Sequence, residues 1–194
     1  MSVRIAKSAG FCFGVSRAVE LVEQAAGSGK KVATLGPIIH NRHVVDKFEK
    51  MGVRVIEKPE EAQPDETVII RSHGVTRNVV ERLERQNVEI IDATCPVVKR
   101  IHTIVSSRSE EGRLPIIIGT PTHPEVEGIA GWCSDCRVFA SREDLEKWAS
   151  TLENPEDSSI CMVSQTTSTE SLWKTCGDFA KKQFTNLIIF YTIC

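Results

Sequence analysis

Val88-Glu89-Ile90-Ile91-Asp92-Ala93-Thr94-Cys95-Pro96 is a short apolar run, a polar turn and a proline, with Val98, Ile101 and Val105 following at helical spacing. The run predicts a strand. The proline predicts a helix start, because the first helical residue needs no donor of its own. The same unit recurs along the chain. Val3-Arg4-Ile5-Ala6 leads to a turn at Cys12 and a helix over 16–26, closed by Gly27 and Gly29. A strand over 31–35 opens into Gly36-Pro37-Ile38-Ile39-His40-Asn41 and a helix over 42–51. A strand over 67–70 leads to Arg71-Ser72-His73-Gly74-Val75 and a helix from Arg77. Further on, strands over 114–118, 161–163 and 187–190 lead to His123, to Thr166 and a helix over 169–182, and to Cys194. Strands alternating with helices predict an α/β fold of repeated βα lobes with mostly parallel sheets. In open parallel sheets, ligands bind beyond the carboxyl ends of the strands. His40, His73, Cys95, His123, Thr166 and Cys194 all follow apolar runs at that end, and a module boundary falls just after Cys95.

At 194 residues, with 41% hydrophobic and 26% charged residues, the chain accommodates one or two domains with a real core. A net charge of −2 gives no reason to expect nucleic acid or an anionic membrane surface as a partner. No apolar run approaches the roughly 18 residues of a membrane helix. Met1-Ser2-Val3-Arg4-Ile5-Ala6-Lys7-Ser8 lacks a signal-peptide pattern. A cytoplasmic location is expected. Seven cysteines at irregular spacing favour reduced thiols, some of them metal ligands, over a disulfide framework.

Three cysteines each follow a strand-like run and stand about one small α/β module apart: Cys12 in Gly10-Phe11-Cys12-Phe13-Gly14, Cys95, and Cys194 in Tyr191-Thr192-Ile193-Cys194. Each alone also reads as a small buried hydrophobe. Their repeated placement suits an iron–sulfur cluster with one iron left open. Glycines beside Cys12 allow close approach of a bulky ligand, and a helix start favours a thiolate. Cys133 and Cys136 form a Cys-x-x-Cys, yet no second pair follows at zinc-ribbon spacing, so packing is the favoured reading. Cys161 and Cys176 are expected in the core.

His40, His73 and His123, with Thr166 in a fourth position, form a candidate donor set for a diphosphate. No Walker or Gly-x-Gly-x-x-Gly turn is present, so such a site is built from side chains. His43 and His102 read as surface or packing residues. Glu125, two residues after His123, suits a proton donor; its competing reading is a first-turn helix glutamate. Glu127 falls outside the site.

Gly10-Phe11-Cys12-Phe13-Gly14-Val15, Ile39-His40-Asn41-Arg42, Ser72-His73-Gly74-Val75, Asp92-Ala93-Thr94-Cys95-Pro96, His123-Pro124-Glu125-Val126-Glu127-Gly128, Ser164-Gln165-Thr166-Thr167 and Thr192-Ile193-Cys194 occur in the order seen in the 4-hydroxy-3-methylbut-2-enyl diphosphate reductase (LytB/IspH) family. The chain resembles that family from Gly10 to Cys194. The resemblance implies reductive removal of an allylic hydroxyl with two electrons and two protons. The products would be isopentenyl diphosphate and dimethylallyl diphosphate, in the last step of the methylerythritol phosphate route. It implies Cys12, Cys95 and Cys194 as ligands of a 4Fe-4S cluster, and His40, His73, His123 and Thr166 as diphosphate-substrate contacts. Glu125 would supply protons, Thr166 would relay them or orient the hydroxyl, and a ferredoxin or flavodoxin-like protein would donate electrons.

The family fold has three lobes. The resemblance predicts two of them here, 13–95 and 96–190, with 1–12 as an N-terminal strand and first cysteine loop. Residues 191–194 would begin a third lobe, so the chain is expected to be cut at the third cluster cysteine. A terminal cysteine frays, and its own carboxylate opposes a thiolate, so weak cluster binding and little reductase activity are expected. The competing expectations are an inactive fragment of the enzyme and a non-catalytic iron- or zinc-binding protein using Cys12, Cys95 and the Cys133/Cys136 pair.

Overall fold

The computed structural model describes residues 3, 4, 6 and 9–194. Its helices are α1 (Phe13–Gly27), α2 (Arg42–Lys50), α3 (Arg77–Glu84), α4 (Pro96–Glu110), α5 (Pro124–Ala130), α6 (Arg142–Ala149) and α7 (Glu170–Gln183). Its strands are β1 (Lys31–Leu35), β2 (Arg54–Ile56), β3 (Glu66–Ile70), β4 (Glu89–Asp92), β5 (Leu114–Ile118), β6 (Arg137–Phe139), β7 (Ser159–Ser164) and β8 (Asn186–Ile189). They form two four-stranded sheets with the same order, β2-β1-β3-β4 and β6-β5-β7-β8, and every strand pair is parallel. The inner strands are near-continuous apolar runs, because helices cover both faces of such sheets. Ile116, Ile117 and Ile118 of β5 and Val68 and Ile69 of β3 are fully buried.

The chain divides into two compact units. The first comprises Met1–Ser72 and Gln86–Cys95; the second comprises His73–Arg85 and Pro96–Cys194. The core of the first lies between its sheet and α1 and α2, around Ala18, Val22, Val32, Phe48 and Ile69. The second has one cluster on each sheet face. Trp173, Cys176 and Phe184 pack on Ile160 and Met162, while Ile101, Val105, Val126 and Ile129 pack on Ile117, Cys161 and Val163. The segment holding α3 lies between β3 and β4 in sequence but belongs to the second unit. It is anchored there by a hydrogen bond from Trp132 Nε1 to the Val75 carbonyl at 2.9 Å and from Arg77 N to the Gly131 carbonyl at 3.3 Å. From sequence alone, these residues sat within the 13–95 lobe.

Hydrophilic caps set the helix starts. Asn41, Thr76, Ser141 and Thr169 each accept a hydrogen bond from a first-turn amide of α2, α3, α6 and α7. Three elements carry no sequence expectation: β2, β6 and α6. The two strands are three-residue edge strands, too short to show a period. The expected strand at 3–6 lies in part outside the described residues.

Because all strands in a sheet are parallel, their carboxyl ends share one edge. Each sheet reverses direction of growth between its two central strands, β1 and β3 in the first and β5 and β7 in the second. Such a switch point opens a crevice at the carboxyl edge.

Candidate functional site

In the first unit, three strand-end loops are laced together. Ser72 donates through both N and Oγ to the Ile38 carbonyl, at 3.2 and 2.9 Å, and Cys95 N donates to the Ser72 carbonyl at 2.9 Å. The loops after β1, β3 and β4 are thus held in one row. The first ends at His40, which is exposed beside the cap of α2. The third presents Cys95.

Cys12 is the N-cap residue of α1, with extended backbone and no side-chain capping bond, so its exposed thiol is not used to close the helix. The Cys95 thiol lies over the first turn of the same helix: a Cβ built on Gly14 would sit 2.5 Å from Cys95 Sγ. Any larger residue at 14 would displace that sulfur. Arg17, one turn further along α1, donates to the carbonyls of Asp92 at 3.2 Å and Thr94 at 3.3 Å. Thr94 N in turn donates to the Asp92 carboxylate at 3.0 Å. The Cys95 loop is clamped against the N-terminal end of α1.

In the second unit, five of the sequence candidates form one unbroken run of contacts. The rings of His73 and His123 meet edge to face, with centroids 5.8 Å apart. His123 is the N-cap of α5, and its Nδ1 accepts from Glu125 N at 3.1 Å. A neutral imidazole accepting at Nδ1 carries its proton on Nε2. Glu125, only 3% exposed, turns both carboxylate oxygens to Thr166: Oε1 accepts from Thr166 N at 2.6 Å and Oε2 from Thr166 Oγ1 at 2.8 Å. The Thr166 carbonyl accepts from Cys194 N at 2.9 Å.

Beyond β8 the chain continues alongside the end of β7. Phe190 N donates to the Met162 carbonyl at 2.9 Å, and Cys194 N donates to Thr166. Between these two rungs, Thr192 bonds through its side chain. Its Oγ1 accepts from Ser164 N at 2.8 Å, donates to the Ser164 carbonyl at 2.9 Å and lies 3.0 Å from Ser164 Oγ. Thr192 is 5% exposed and Ser164 is fully buried. The backbone of Cys194 is therefore tied in place, contrary to the fraying expected from sequence, while its side chain is exposed.

Cys12, His40 and Cys95 belong to the first unit, and His73, His123, Glu125, Thr166 and Cys194 to the second. Among the described residues, no group of three or more His, Cys, Asp or Glu side chains is placed to hold a metal. Gly14 was read from sequence as room beside Cys12, and the structure shows that it makes room for the Cys95 sulfur. Two supporting residues were missed: Thr192, for which a threonine two residues before Cys194 was the available signal, and Arg17, which had none. His102 is a packing residue, 4% exposed and stacked on Trp132 with centroids 5.1 Å apart. Cys161 and Cys176 are fully buried, as expected.

Two parallel α/β sheets of the same order, with thiols, imidazoles and a carboxylate–hydroxyl pair at their strand ends, define an α/β protein whose candidate site is built from side chains rather than from a glycine cradle. The family described as LytB protein matches residues 3–194, and the chain belongs to it. The 4-hydroxy-3-methylbut-2-enyl diphosphate reductase of Thermoanaerobacter sp. (strain X514) is 42% identical, covering 100% of this chain and 67% of the relative. The reductase of the same name from Caldanaerobacter subterraneus subsp. tengcongensis is 41% identical, again covering 67% of the relative. A solved structure of (E)-4-hydroxy-3-methyl-but-2-enyl diphosphate reductase, the terminal enzyme of the non-mevalonate pathway, matches with a TM-score of 0.84 at 37% identity, over 99% of this chain and 68% of that one. That of the E-1-hydroxy-2-methyl-but-2-enyl-4-diphosphate reductase from Plasmodium falciparum matches with a TM-score of 0.87 at 27% identity, over 97% of this chain and 59% of that one.

Proposed function

We propose that this chain acts as a 4-hydroxy-3-methylbut-2-enyl diphosphate reductase, an iron–sulfur oxidoreductase that yields isopentenyl diphosphate and dimethylallyl diphosphate. The observation that carries this reading is the run of contacts His73–His123–Glu125–Thr166–Cys194. It joins two imidazoles, a buried carboxylate–hydroxyl pair and the backbone of a thiol-bearing residue, groups that suit reductive dehydroxylation of an allylic diphosphate.

Cys12, Cys95 and Cys194 would hold a 4Fe-4S cluster. What supports this is the pair in the first unit: the Cys12 thiol is not used to cap α1, and the missing Cβ of Gly14 leaves room for the Cys95 sulfur. When bound, the cluster would supply electrons and a Lewis-acidic iron to the allylic hydroxyl. His40, His73 and His123 bind the diphosphate, His123 donating from Nε2. Thr166 Oγ1, which donates to Glu125 Oε2 in the resting site, turns to give its proton to the departing hydroxyl and is resupplied from Glu125. The 2.8 Å contact between these oxygens is within the reach of direct transfer. A ferredoxin or flavodoxin-like protein donates the electrons, one at a time, in the cytoplasm. No helix among the described residues is long and apolar enough to cross a membrane.

The test is anaerobic reconstitution with iron and sulfide, followed by absorbance, iron and sulfide analysis, and turnover of the diphosphate. A brown protein is expected, with the chromophore lost in Cys12→Ser and Cys95→Ser and the spectrum of the reduced protein altered by substrate. A colourless protein, or one whose cluster is indifferent to the diphosphate, overturns the assignment.

A further inference from the structure

His73 stands on a segment that lies between β3 and β4 in sequence, yet the segment belongs to the second unit and those strands to the first. The segment is seated on the carboxyl end of α5, the helix capped at its other end by His123. Just after His73 the backbone turns at Gly74, whose φ of +74° lies in the left-handed region that suits glycine. The chain then runs along α5 to Thr76, the cap of α3. Gly128 lies under the start of this run: a Cβ built there would meet the His73 and Gly74 backbone at 3.5 Å. Gly131 lies under its end: a Cβ there would stand 2.3 Å from Thr76 Cβ, so no larger residue fits without moving the segment.

Two hydrogen bonds hold the run on the helix. Trp132 Nε1 donates to the Val75 carbonyl at 2.9 Å, and Arg77 N donates to the Gly131 carbonyl at 3.3 Å. Gly74 and Val75 are buried, so the indole N–H supplies a donor to a carbonyl removed from water. The indole is itself held. Its ring stacks on the buried His102 with centroids 5.1 Å apart, and the Arg77 guanidinium lies 5.4 Å from its centroid. One short helix thus carries both imidazoles. Its first turn binds the His123 ring through Glu125 N at 3.1 Å, and the residue after its last turn binds the backbone two residues beyond His73.

We propose that Trp132 is a positioning residue for His73. By binding the Val75 carbonyl it sets the edge-to-face approach of the His73 ring to His123, at 5.8 Å between centroids, and with it the affinity of the pair for a diphosphate. The proposal rests on the reading that these two imidazoles bind a diphosphate. Two donors held at a fixed separation take one anion without the cost of ordering each ring on binding, and a segment lifted from α5 gives that advantage up.

The experiment uses the full chain, free of iron, with inorganic diphosphate as the probe. The imidazole signals of its five histidines are assigned by heteronuclear NMR from single His→Gln variants. Trp132→Phe keeps a ring against His102 and removes the N–H. Gly131→Ala moves the same segment from beneath. Trp148→Phe is the control, because Trp148 packs on Phe139 and Phe184 in the cluster on the other face of the sheet. The nuclear Overhauser effect between the His73 and His123 ring protons should weaken in Trp132→Phe and Gly131→Ala and persist in Trp148→Phe. The Kd for diphosphate should rise at least about fivefold in Trp132→Phe and stay within about twofold in Trp148→Phe. An undiminished ring-to-ring effect in both Trp132→Phe and Gly131→Ala overturns the proposal, as does equal diphosphate affinity of Trp132→Phe and the wild type. The same losses in Trp148→Phe overturn it too, since they would mark a general loss of stability. A wild-type chain that keeps the ring contact yet binds no diphosphate overturns the diphosphate reading itself, and the proposal falls with it.

Discussion

Thr192→Val removes one hydroxyl and keeps the side chain's shape. In the folded protein that hydroxyl accepts from Ser164 N, donates to the Ser164 carbonyl and contacts Ser164 Oγ, all in a buried setting. The valine methyl replaces none of these bonds. An amide left unsatisfied in the interior costs about 1–3 kcal/mol, and the carbonyl loses its donor as well, so the expected loss is about 2–3 kcal/mol. Thr192→Ser keeps the hydroxyl and gives up one methyl, at about 1 kcal/mol. Trp132, Trp148 and Trp173 are the chain's three tryptophans and all belong to the second unit, so tryptophan fluorescence during urea unfolding follows that unit alone. The urea midpoint should fall much further for valine than for serine, with the slope unchanged. Alkylation of Cys194 in the native state should quicken in the valine variant, because Thr192 holds the segment that ends on the Thr166 carbonyl. If valine and serine variants unfold within about 0.5 kcal/mol of each other, Thr192 is not what holds this segment, and the reasoning fails.

Gly14→Ala should destabilise the first unit by about 1–3 kcal/mol, despite the better helix propensity of alanine, because its Cβ would stand 2.5 Å from Cys95 Sγ. Adding Cys95→Ala should restore most of the loss; an additive double-mutant cycle by thermal melts would exclude that contact as the cause. Glu125→Gln keeps a carbonyl oxygen for Thr166 N and turns an NH₂ toward Thr166 Oγ1, which can accept it, so the pair stays joined while the carboxyl proton is gone. Turnover by the reconstituted protein should fall by about 10²–10⁴-fold with the cluster absorbance retained, and wild-type turnover would remove Glu125 from the proton path. Burial raises the thiols of Cys161 and Cys176 from 9.0 to about 11. Their stabilising effect is present in full below pH 9 and is lost as pH rises through about 11, because the unfolded chain gives up these protons first. Stability measured from pH 9 upward should decline less steeply in the Cys161→Ala/Cys176→Ala double variant. Identical pH slopes in the two proteins would show that these thiols lose their protons alike in the folded and the unfolded chain.

The inner strands were legible in sequence because parallel strands buried on both faces are unbroken apolar runs, as at Ile116, Ile117 and Ile118. The helix starts were legible from Pro96 and from polar residues before apolar stretches. The edge strands β2 and β6 were not, since three residues hold no period. Nor was the passage of His73–Arg85 into the second unit, because that depends on where Trp132 and Gly131 sit once α5 has folded.

By itself, the sequence determined the α/β class, the strand-end positions of His40, His73, Cys95, His123, Thr166 and Cys194, and the kind of chemistry those residue types support. Local periodicity and turn chemistry carry that much, because each strand and the loop after it are written in about a dozen consecutive residues. Only the tertiary structure decided which of these groups touch. The bonds of Glu125 to Thr166, of Thr192 to Ser164 and of Arg17 to the Cys95 loop join residues far apart in the chain. Each exists because parallel crossovers bring the carboxyl ends of neighbouring strands to one edge, and no local pattern records which loops will meet there.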